Sequence, residues 1–429
     1  MRLLATFVLL ALVAGPAGAE MPDFDRYFTA EALRIDLHHG GGAANETYSL
    51  DELRAEPFFA GSRTNLLDTL NLGEYLVRVF DLRTGVMTFS RGFSTAFAEW
   101  RTTDEALAGQ ARCFHESIIV PFPKAPAQVR IERRDRERIF RTVFDLVVDP
   151  ADWRINRERR FGEFRVVELL DNGPCERTVD LVILSDGYRR DELHKFRKDA
   201  DRLLGALFGM EPFRSRKRDF NVKLIEVPSA ESDIDEPREG RWRANLLGCS
   251  FEAFGIPRYV LTFSNKTMRD IAGRVPYDAV LILANAKRYG GGGIFNLYAI
   301  STVDNEHSTF VFTHELGHSL AGLGDEYFSS EVAYNEMYPS GIEPWEPNIT
   351  ALLDSTAVKW GDLIAPGTPV PTPDDSLHAD VVGCFEGAGY SAKGLYRPMR
   401  DCRMFSKKAD TFCPVCRRAI ERMIDYYVK

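Results

Sequence analysis

Residues 311–328 read VFTHELGHSLAGLGDEYF. His314 and His318 are four positions apart, so on a helix they project from one face, one turn apart, and can bind one metal ion through their ring nitrogens. Glu315, beside the first histidine, can take a proton from a water molecule that the metal activates, which is the chemistry of the H-E-x-x-H pattern. The stretch therefore predicts an active-site helix whose cofactor is Zn2+.

The third ligand of this site is not obvious, since a catalytic zinc normally has three protein ligands and one open position. In the extended pattern H-E-x-x-H-x-x-G-x-x-H, the final ligand would fall on Gly324, which has no ligand atom. Gly322 stands one residue later than the glycine of that pattern, and Asp325 stands one residue later than its last histidine. We predict that the helix ends in a left-handed turn at Gly322 and that Asp325 completes the site, with Glu326 as the competing ligand.

The chain opens with a pattern typical of an export signal. Arg2 is followed by an apolar run over residues 3–14 and by Ala17 and Ala19 at A-x-A spacing. We expect cleavage after Ala19, so that residues 1–19 are a signal peptide and the protein is periplasmic or secreted. The apolar run is shorter than the roughly 20 residues that a membrane span needs, so we expect no stable membrane insertion.

The formal net charge of the chain is −9, and its basic residues are scattered. Proteins that bind nucleic acid usually concentrate Lys and Arg on one face, where they neutralise phosphates. The densest basic stretch, residues 214–218, lies between a helical pattern and a strand pattern, where a solvated surface explains it. The composition therefore disfavours nucleic acid as a partner.

Two parts of the chain follow different patterns. Residues 20–150 contain short β-rich runs with partial period-two alternation, which predicts an N-terminal β-sandwich-like domain. Residues 151–170 are polar and are interpreted as a linker. In residues 171–429, buried-type strands alternate with amphipathic helices, which predicts an α/β or α+β domain with a mostly parallel sheet and a Cys-rich C-terminal part. The glycines at 290–293 precede a strand, so we interpret them as flexible backbone beside a cleft and not as a phosphate-binding loop.

Four of the seven cysteines lie in the C-terminal part, at Cys384, Cys402, Cys413 and Cys416. Export permits disulfide bonds. The single C-P-V-C motif lacks the second matching pair that a zinc ribbon needs. The sequence therefore favours a local disulfide, either Cys413 with Cys416 or Cys384 with Cys402, over a structural metal.

Another pair of histidines, His38 and His39, stands before the glycines at 40–42. Adjacent residues of a strand point to opposite faces of the sheet, so the two rings are not expected to share a ligand. We interpret this pair as structural.

Further motifs accompany the helix over much of the chain. They are VPSAESDIDEPREGRWR, FGIPRYVLT, YGGGGIFNLYA, HELGHSLAGLGDEY, EPWEPNITAL, FEGAGY, YRPMRDCRM and FCPVC. Together they resemble the bacterial IgA-peptidase-like zinc endopeptidases of the metzincin class. The resemblance runs from about Thr178 to the C-terminus, and the strand-rich residues before it resemble that family's N-terminal domain less specifically.

The resemblance implies a metzincin-like catalytic domain, in which a twisted mixed sheet lies over the active-site helix. The edge strand would correspond to residues 294–301, along which an extended substrate could add as a further strand. A methionine in a tight turn would lie beneath the metal, with Met404 as the first candidate and Met399 as the second. Tyr327 and Tyr396 lie in the shared motifs and are candidate donors to an oxyanion, or packing residues.

These features predict an exported zinc endopeptidase, a hydrolase of polypeptide substrates. Glu315 would be the general base, and His314, His318 and Asp325 would hold the metal. The alternative is a secreted protein- or glycan-binding module on a metalloprotease-like scaffold without catalysis, against which the intact histidines and glutamate argue. The sequence leaves open the natural substrate, whether immunoglobulin is cleaved, the latency mechanism and the oligomeric state.

Overall fold

The structure is a computed structural model that describes residues 21–159, 164–328 and 337–429. The predicted signal peptide, residues 1–19, lies outside the described residues. Within the described ranges, no helix is both long enough and apolar enough to cross a membrane.

The N-terminal region is β-rich, as the sequence predicts. Its strands form two antiparallel sheets, in the orders β2-β1-β5 and β4-β3-β6-β7. Apolar side chains of both sheets pack into one shared core. The strands are β1 (Phe28–Gly41), β2 (Glu46–Glu56), β3 (Tyr75–Asp81), β4 (Met87–Phe93), β5 (Arg112–Pro123), β6 (Ala127–Arg134) and β7 (Phe140–Val148), and the short helices are α1 (Phe24–Tyr27), α2 (Ala96–Trp100) and α3 (Asp104–Leu107).

A six-stranded mixed sheet forms the centre of the rest of the chain. Its strands are β8 (Arg165–Leu170), β9 (Val179–Asp186), β10 (Phe220–Glu226), β11 (Ala279–Ala284), β12 (Gly291–Ile294) and β13 (Tyr298–Thr302), in the order β12-β13-β11-β9-β10-β8. The four inner strands are parallel, and β12 and β8 are antiparallel strands at the two edges. Every residue of β9 and β11 is buried, as expected for inner strands covered on both faces.

Helices and the N-terminal region cover the two faces of this sheet. Alternate residues of β9 belong to different cores, with Leu181 and Ile183 on one face and Val182 and Leu184 on the other. The first face packs against α4 (Leu193–Leu207), α6 (Ser308–Ala321) and α7 (Pro414–Val428), and the second against α5 (Asn265–Ala272) and residues of the N-terminal region. A separate hairpin is formed by β14 (Phe385–Ala388) and β15 (Ser391–Arg397).

The region around the glycine run differs from the sequence prediction. Residues 290–293 are not a flexible loop, because Gly291–Ile294 form the edge strand β12. Residues 294–301, predicted as the edge, contain a turn and most of β13, which pairs on both sides with β11 and β12. The glycines are needed because α6 lies so close to β12 that a side chain at Gly293 would overlap the carbonyl oxygen of Glu315.

The stretch predicted as a linker, residues 151–170, also contributes to the sheet. Its last residues, Arg165–Leu170, form β8 and pair with β10 along their length. The polar composition of the preceding residues gave no indication of this strand, whose side chains are half-buried or exposed.

Candidate metal and catalytic site

The end of α6 sets the position of the candidate third ligand. Gly322 adopts the left-handed conformation, with φ 61° and ψ 29°, as predicted. The Gly322 N–H donates to the His318 carbonyl at 3.0 Å, and the Leu323 N–H donates to the Gly317 carbonyl at 3.2 Å. Glycine adopts this conformation without the steric penalty that a Cβ would bring. The chain therefore turns back immediately after the helix and carries Asp325 to the histidine face.

Three candidate ligand atoms converge at that face. Nε2 of His314 lies 3.1 Å from Nε2 of His318. Oδ1 of Asp325 lies 3.0 Å from the first of these nitrogens and 3.3 Å from the second. Nitrogen and oxygen ligands at the usual distance from zinc are about 3.3 Å apart in a tetrahedron, so the spacing of the three atoms fits the metal.

Backbone carbonyls hold the other ring nitrogen of each histidine. Nδ1 of His314 lies 3.0 Å from the Arg403 carbonyl oxygen, and Nδ1 of His318 lies 2.5 Å from the Leu323 carbonyl oxygen. A carbonyl oxygen can only accept, so each Nδ1 carries a hydrogen, and Nε2 is the nitrogen that can give its lone pair to a metal. This is the tautomer that a metal requires, with the supporting hydrogen bond that fixes the ring.

Asp325 is buried, and its two oxygens have different surroundings. Oδ2 accepts hydrogen bonds from the hydroxyls of Tyr327 at 2.9 Å and Tyr390 at 2.5 Å. Oδ1 faces the histidine nitrogens and, within the described residues, accepts no hydrogen bond of good geometry. Burial disfavours the carboxylate, but attraction to His318 outweighs it and holds the pKa of Asp325 well below its usual range. The residue therefore offers a buried, anionic oxygen to the site.

Glu315 lies beside the two histidines. A carboxylate oxygen of Glu315 and one nitrogen from each of His314 and His318 all lie within 4.8 Å of one another. Burial raises the pKa of Glu315, although the neighbouring histidines oppose the shift. A raised pKa makes a carboxylate a better proton acceptor at neutral pH.

The cleft in front of these groups is built from distant segments. Its walls include Gly291 and Gly293 of β12, so the glycine run does lie beside a cleft. The Tyr259 hydroxyl donates to Glu99 at 2.5 Å, which joins this wall to the N-terminal region. Arg258 donates to the Tyr327 hydroxyl at 3.2 Å.

Several residues of this cleft were missed by the sequence analysis, namely Glu99, Arg258, Tyr259, Tyr289 and Tyr390. Four of them, Arg258, Tyr259, Tyr289 and Tyr390, stand in the shared motifs, which was the available signal. No spacing rule assigns them a partner, because the contact between Tyr390 and Asp325 spans 65 positions.

Of the two candidate oxyanion donors only one lines the cleft, and of the two candidate methionines only one is fully buried beneath α6. Tyr327 lines the cleft, whereas Tyr396 lies on β15, pairs with the backbone of Thr350 and does not line it. Met404 is fully buried beneath α6, where a Cβ at Gly317 would lie 3.0 Å from its sulfur. Met399 is only partly buried, at the margin of the same core.

Glu326, the competing ligand, points away from the histidines. Its Oε1 accepts hydrogen bonds from the side-chain amide of Asn348 at 3.0 Å and from the Cys416 thiol at 3.1 Å. Adjacent residues on an extended chain face opposite sides, so Asp325 and Glu326 reach different groups.

The predicted disulfides are not formed. All cysteines, including the four of the C-terminal part, are free thiols. The sulfurs of Cys402 and Cys416 are 3.8 Å apart, well beyond the roughly 2.05 Å of a disulfide bond. Cys413 instead caps α7, where its sulfur accepts from the Cys416 N–H at 3.4 Å. The thiols of Cys402, Cys413 and Cys416 therefore lie close together without pairing.

Two family models place the chain among peptidases. A family model described as IgA Peptidase M64 matches residues 167–378 and 374–424, and a model described as Peptidase M64 N-terminus matches residues 23–145. The chain belongs to the IgA peptidase M64 family, as the resemblance of its motifs implied. Membership makes it a hydrolase of the peptidase type, with polypeptides as the substrate class. A search of curated proteins found no match.

Proposed function

We propose that this protein is an exported zinc-dependent endopeptidase, with His314, His318 and Asp325 as the zinc ligands. The observation that carries the proposal is the convergence of their three ligand atoms within 3.3 Å of one another. Bound at this position, zinc would polarise the carbonyl of the scissile peptide bond and lower the pKa of the attacking water.

Glu315 is the general base of the proposed reaction. Its carboxylate accepts the proton of the attacking water and then delivers it to the amine of the leaving peptide. The proximity of Glu315 to both histidines and its raised pKa support this role.

The surroundings of the ligands support a metzincin-like arrangement. The Arg403 carbonyl orients His314, and the next residue, Met404, packs beneath the helix between the two histidines. Tyr327 and Tyr390 occupy Oδ2 of Asp325, so that Oδ1 is directed to the metal position. Met404 is therefore our choice for the methionine beneath the metal.

The edge strand β12 is the proposed binding edge for an extended substrate. The outer side of Gly291 is already paired, since its N–H donates to the Arg258 carbonyl and its carbonyl accepts from the Val260 N–H. Gly293 lies two residues further along the strand, faces the same side and lines the cleft next to His318. A substrate strand that pairs at Gly293 would pass directly in front of the ligand atoms.

The test of this proposal is a comparison of Glu315→Gln with Glu306→Gln. The first change should leave zinc content intact and lower peptide hydrolysis by about 10²–10⁴-fold, because only the base is lost. The second removes the same charge from an exposed side chain just before α6 and should leave both unchanged. Activity of Glu315→Gln within about tenfold of the parent, at equal zinc content, would rule out the general-base assignment.

Export is tested on the protein recovered from cells that express the full chain. N-terminal sequencing of the processed protein should give Glu20 as the first residue. Recovery of an uncleaved chain from the cytoplasm would contradict the proposal of export.

A further inference from the structure

A second group of potential metal ligands lies on the far side of Glu326. The sulfurs of Cys402, Cys413 and Cys416 and a carboxylate oxygen of Glu326 all lie within 4.8 Å of one another, and all four residues are buried. We propose that this cysteine–glutamate cluster binds a second zinc ion, in a structural site with four protein ligands. The inference does not depend on the proposed peptidase mechanism.

The distances within the cysteine–glutamate cluster fit metal binding better than covalent pairing. The separation of 3.8 Å between the sulfurs of Cys402 and Cys416 matches the edge of a zinc tetrahedron with sulfur ligands, which is about 3.8 Å. Oε1 of Glu326 approaches the Cys416 sulfur to 3.1 Å from the other side. Thiolates with one carboxylate form a donor set that suits zinc.

Glu326 supplies a second, independent indication of a cation. Its side chain is fully buried, and Oε2 has no hydrogen-bond partner in the described part of the chain. An unpaired buried carboxylate is costly, and such groups are normally paired or bound to a metal. The nearby Arg397 does not donate to this oxygen; its Nη1 donates to the carbonyl oxygens of Glu386 and Gly387.

Backbone hydrogen bonds also favour thiolates in the cysteine–glutamate cluster. The Cys413 N–H lies 3.2 Å from the Cys402 sulfur, and the Cys416 N–H lies 3.4 Å from the Cys413 sulfur. Cys413 and Cys416 stand at the start of α7, a helix of 15 residues whose N-terminal end favours negative charge. Binding of zinc would displace the three thiol protons to solvent.

A disulfide explains these contacts less well. It would join two of the three thiols and leave the third buried beside the unpaired carboxylate of Glu326. One zinc ion instead can coordinate all four groups and offset part of their negative charge. It would also tie the segment of Cys402 to both α7 and the chain that follows Asp325.

Metal analysis of the full chain tests the inference through stoichiometry and a spectroscopic signature. The parent should hold two zinc ions per chain, and Cys413→Ser and His314→Ala should each hold one. After cobalt replaces zinc, the parent and His314→Ala should show thiolate-to-cobalt charge-transfer absorption, and Cys413→Ser should lose most of it. Cys384→Ser, which alters a buried cysteine outside the cluster, should match the parent.

Each outcome separates the two metal sites. Cobalt-substituted His314→Ala without the thiolate signature would overturn the inference. A native intact mass two hydrogens lower than that of the fully reduced chain would show a disulfide and would also overturn it. If Cys413→Ser fails to fold, the three cluster thiols of the native parent decide. Peptide mapping should show that Cys402, Cys413 and Cys416 resist a thiol reagent until a strong chelator is added, whereas the exposed Cys113 reacts at once. A single zinc with the thiolate signature would support this site and contradict the catalytic one.

Discussion

Two buried histidine sites in this protein differ in the groups that contact the nitrogens of their imidazole rings. In the N-terminal region, Nδ1 of His39 lies 2.8 Å from Glu116 and Nε2 lies 3.0 Å from Glu46, so both ring nitrogens face carboxylates. On α6, each ring of His314 and His318 has one nitrogen held by a backbone carbonyl, and the other turns toward Asp325.

The difference bears on how well each site suits a metal. Carboxylates on both sides of His39 favour a ring with hydrogens on both nitrogens, and no lone pair then remains for a ligand bond. Burial lowers the pKa of His39, but attraction to Glu116 outweighs it and the net pKa is raised. At the α6 site a neutral carbonyl fixes one nitrogen of each ring, so only the other nitrogen faces a carboxylate. Burial lowers the pKa of His318, but attraction to Asp325 outweighs it and raises the pKa to about 9, so a metal would have to displace that proton.

Removal of one carboxylate from each site should produce the largest contrast. Asp325→Ala should lower zinc affinity by more than about 100-fold, because a ligand is lost and the loss of a mere supporting residue costs less than that. The same change should abolish hydrolysis. Glu116→Ala should keep the zinc but lower the free energy of unfolding by about 1–3 kcal/mol, because a buried partner of His39 is lost. Zinc content after dialysis against a mild chelator and denaturant unfolding measure the two effects. Loss of zinc from Glu116→Ala at the rate of Asp325→Ala would break the comparison.

An added methyl group beside each histidine site should give the next largest contrast. In Gly293→Ala the new Cβ meets the backbone of α6 at Glu315, so the helix must shift and the ligand atoms with it. We expect about 1–3 kcal/mol of destabilisation from the overpacking and at least a tenfold loss of activity from the misplaced groups.

Gly40→Ala is the matched control, next to His39. Its Cβ would lie 3.4 Å from the Arg112 carbonyl oxygen, an ordinary contact, so stability should change by less than about 0.5 kcal/mol. Thermal unfolding and hydrolysis rates of the two variants check this prediction. An equal effect of both changes would show that the close packing of β12 and α6 is not the cause.

The pH dependence of stability should differ between His39→Gln and His38→Gln. The pKa of folded His39 is raised above the ordinary value of 6.5, so its stabilising effect is complete below that pH and is lost as pH rises through the folded pKa. Each unit of raised pKa corresponds to about 1.4 kcal/mol. The parent should therefore lose stability from neutral to alkaline pH, and His39→Gln should lose less. His38, whose side chain is half exposed, should give a variant that follows the parent.

The smallest predicted effect tests the support of Asp325. Tyr390→Phe removes one of the two hydroxyls that donate to Oδ2 and leaves Tyr327 in place. We expect up to about a tenfold loss of zinc affinity, the lower end for residues that orient a ligand. Tyr396→Phe, outside the cleft, should behave as the parent in a chelator competition. Equal effects of the two changes would contradict the assigned role of Tyr390.

Helical spacing was sufficient to predict that His314 and His318 share a face, and the displaced glycine was sufficient to predict the turn at Gly322. The assignment of these residues and Asp325 as ligands stays a prediction. The β-rich N-terminal region was also predictable, because side-chain alternation reports strands. Strand β12 was not, since three glycines have no side chains to alternate.

The remaining misses come from contacts between distant segments. Tyr390 and the Arg403 carbonyl reach the α6 site from 65 and 89 positions away, and no local pattern encodes such pairs. The cysteines were predicted to pair because spacing alone does not reveal a common partner. Glu326, which they approach, lies 90 positions from Cys416.

A nascent chain completes α6 long before it can fix the ring of His314. The Arg403 carbonyl is 89 positions downstream, and Met404, which packs beneath the helix, follows it. The histidine face can therefore reach its final geometry only when almost the whole chain has been made and the C-terminal segment has folded back. We therefore expect that the chain cannot hydrolyse neighbouring proteins until its synthesis is nearly complete and its C-terminal segment has folded.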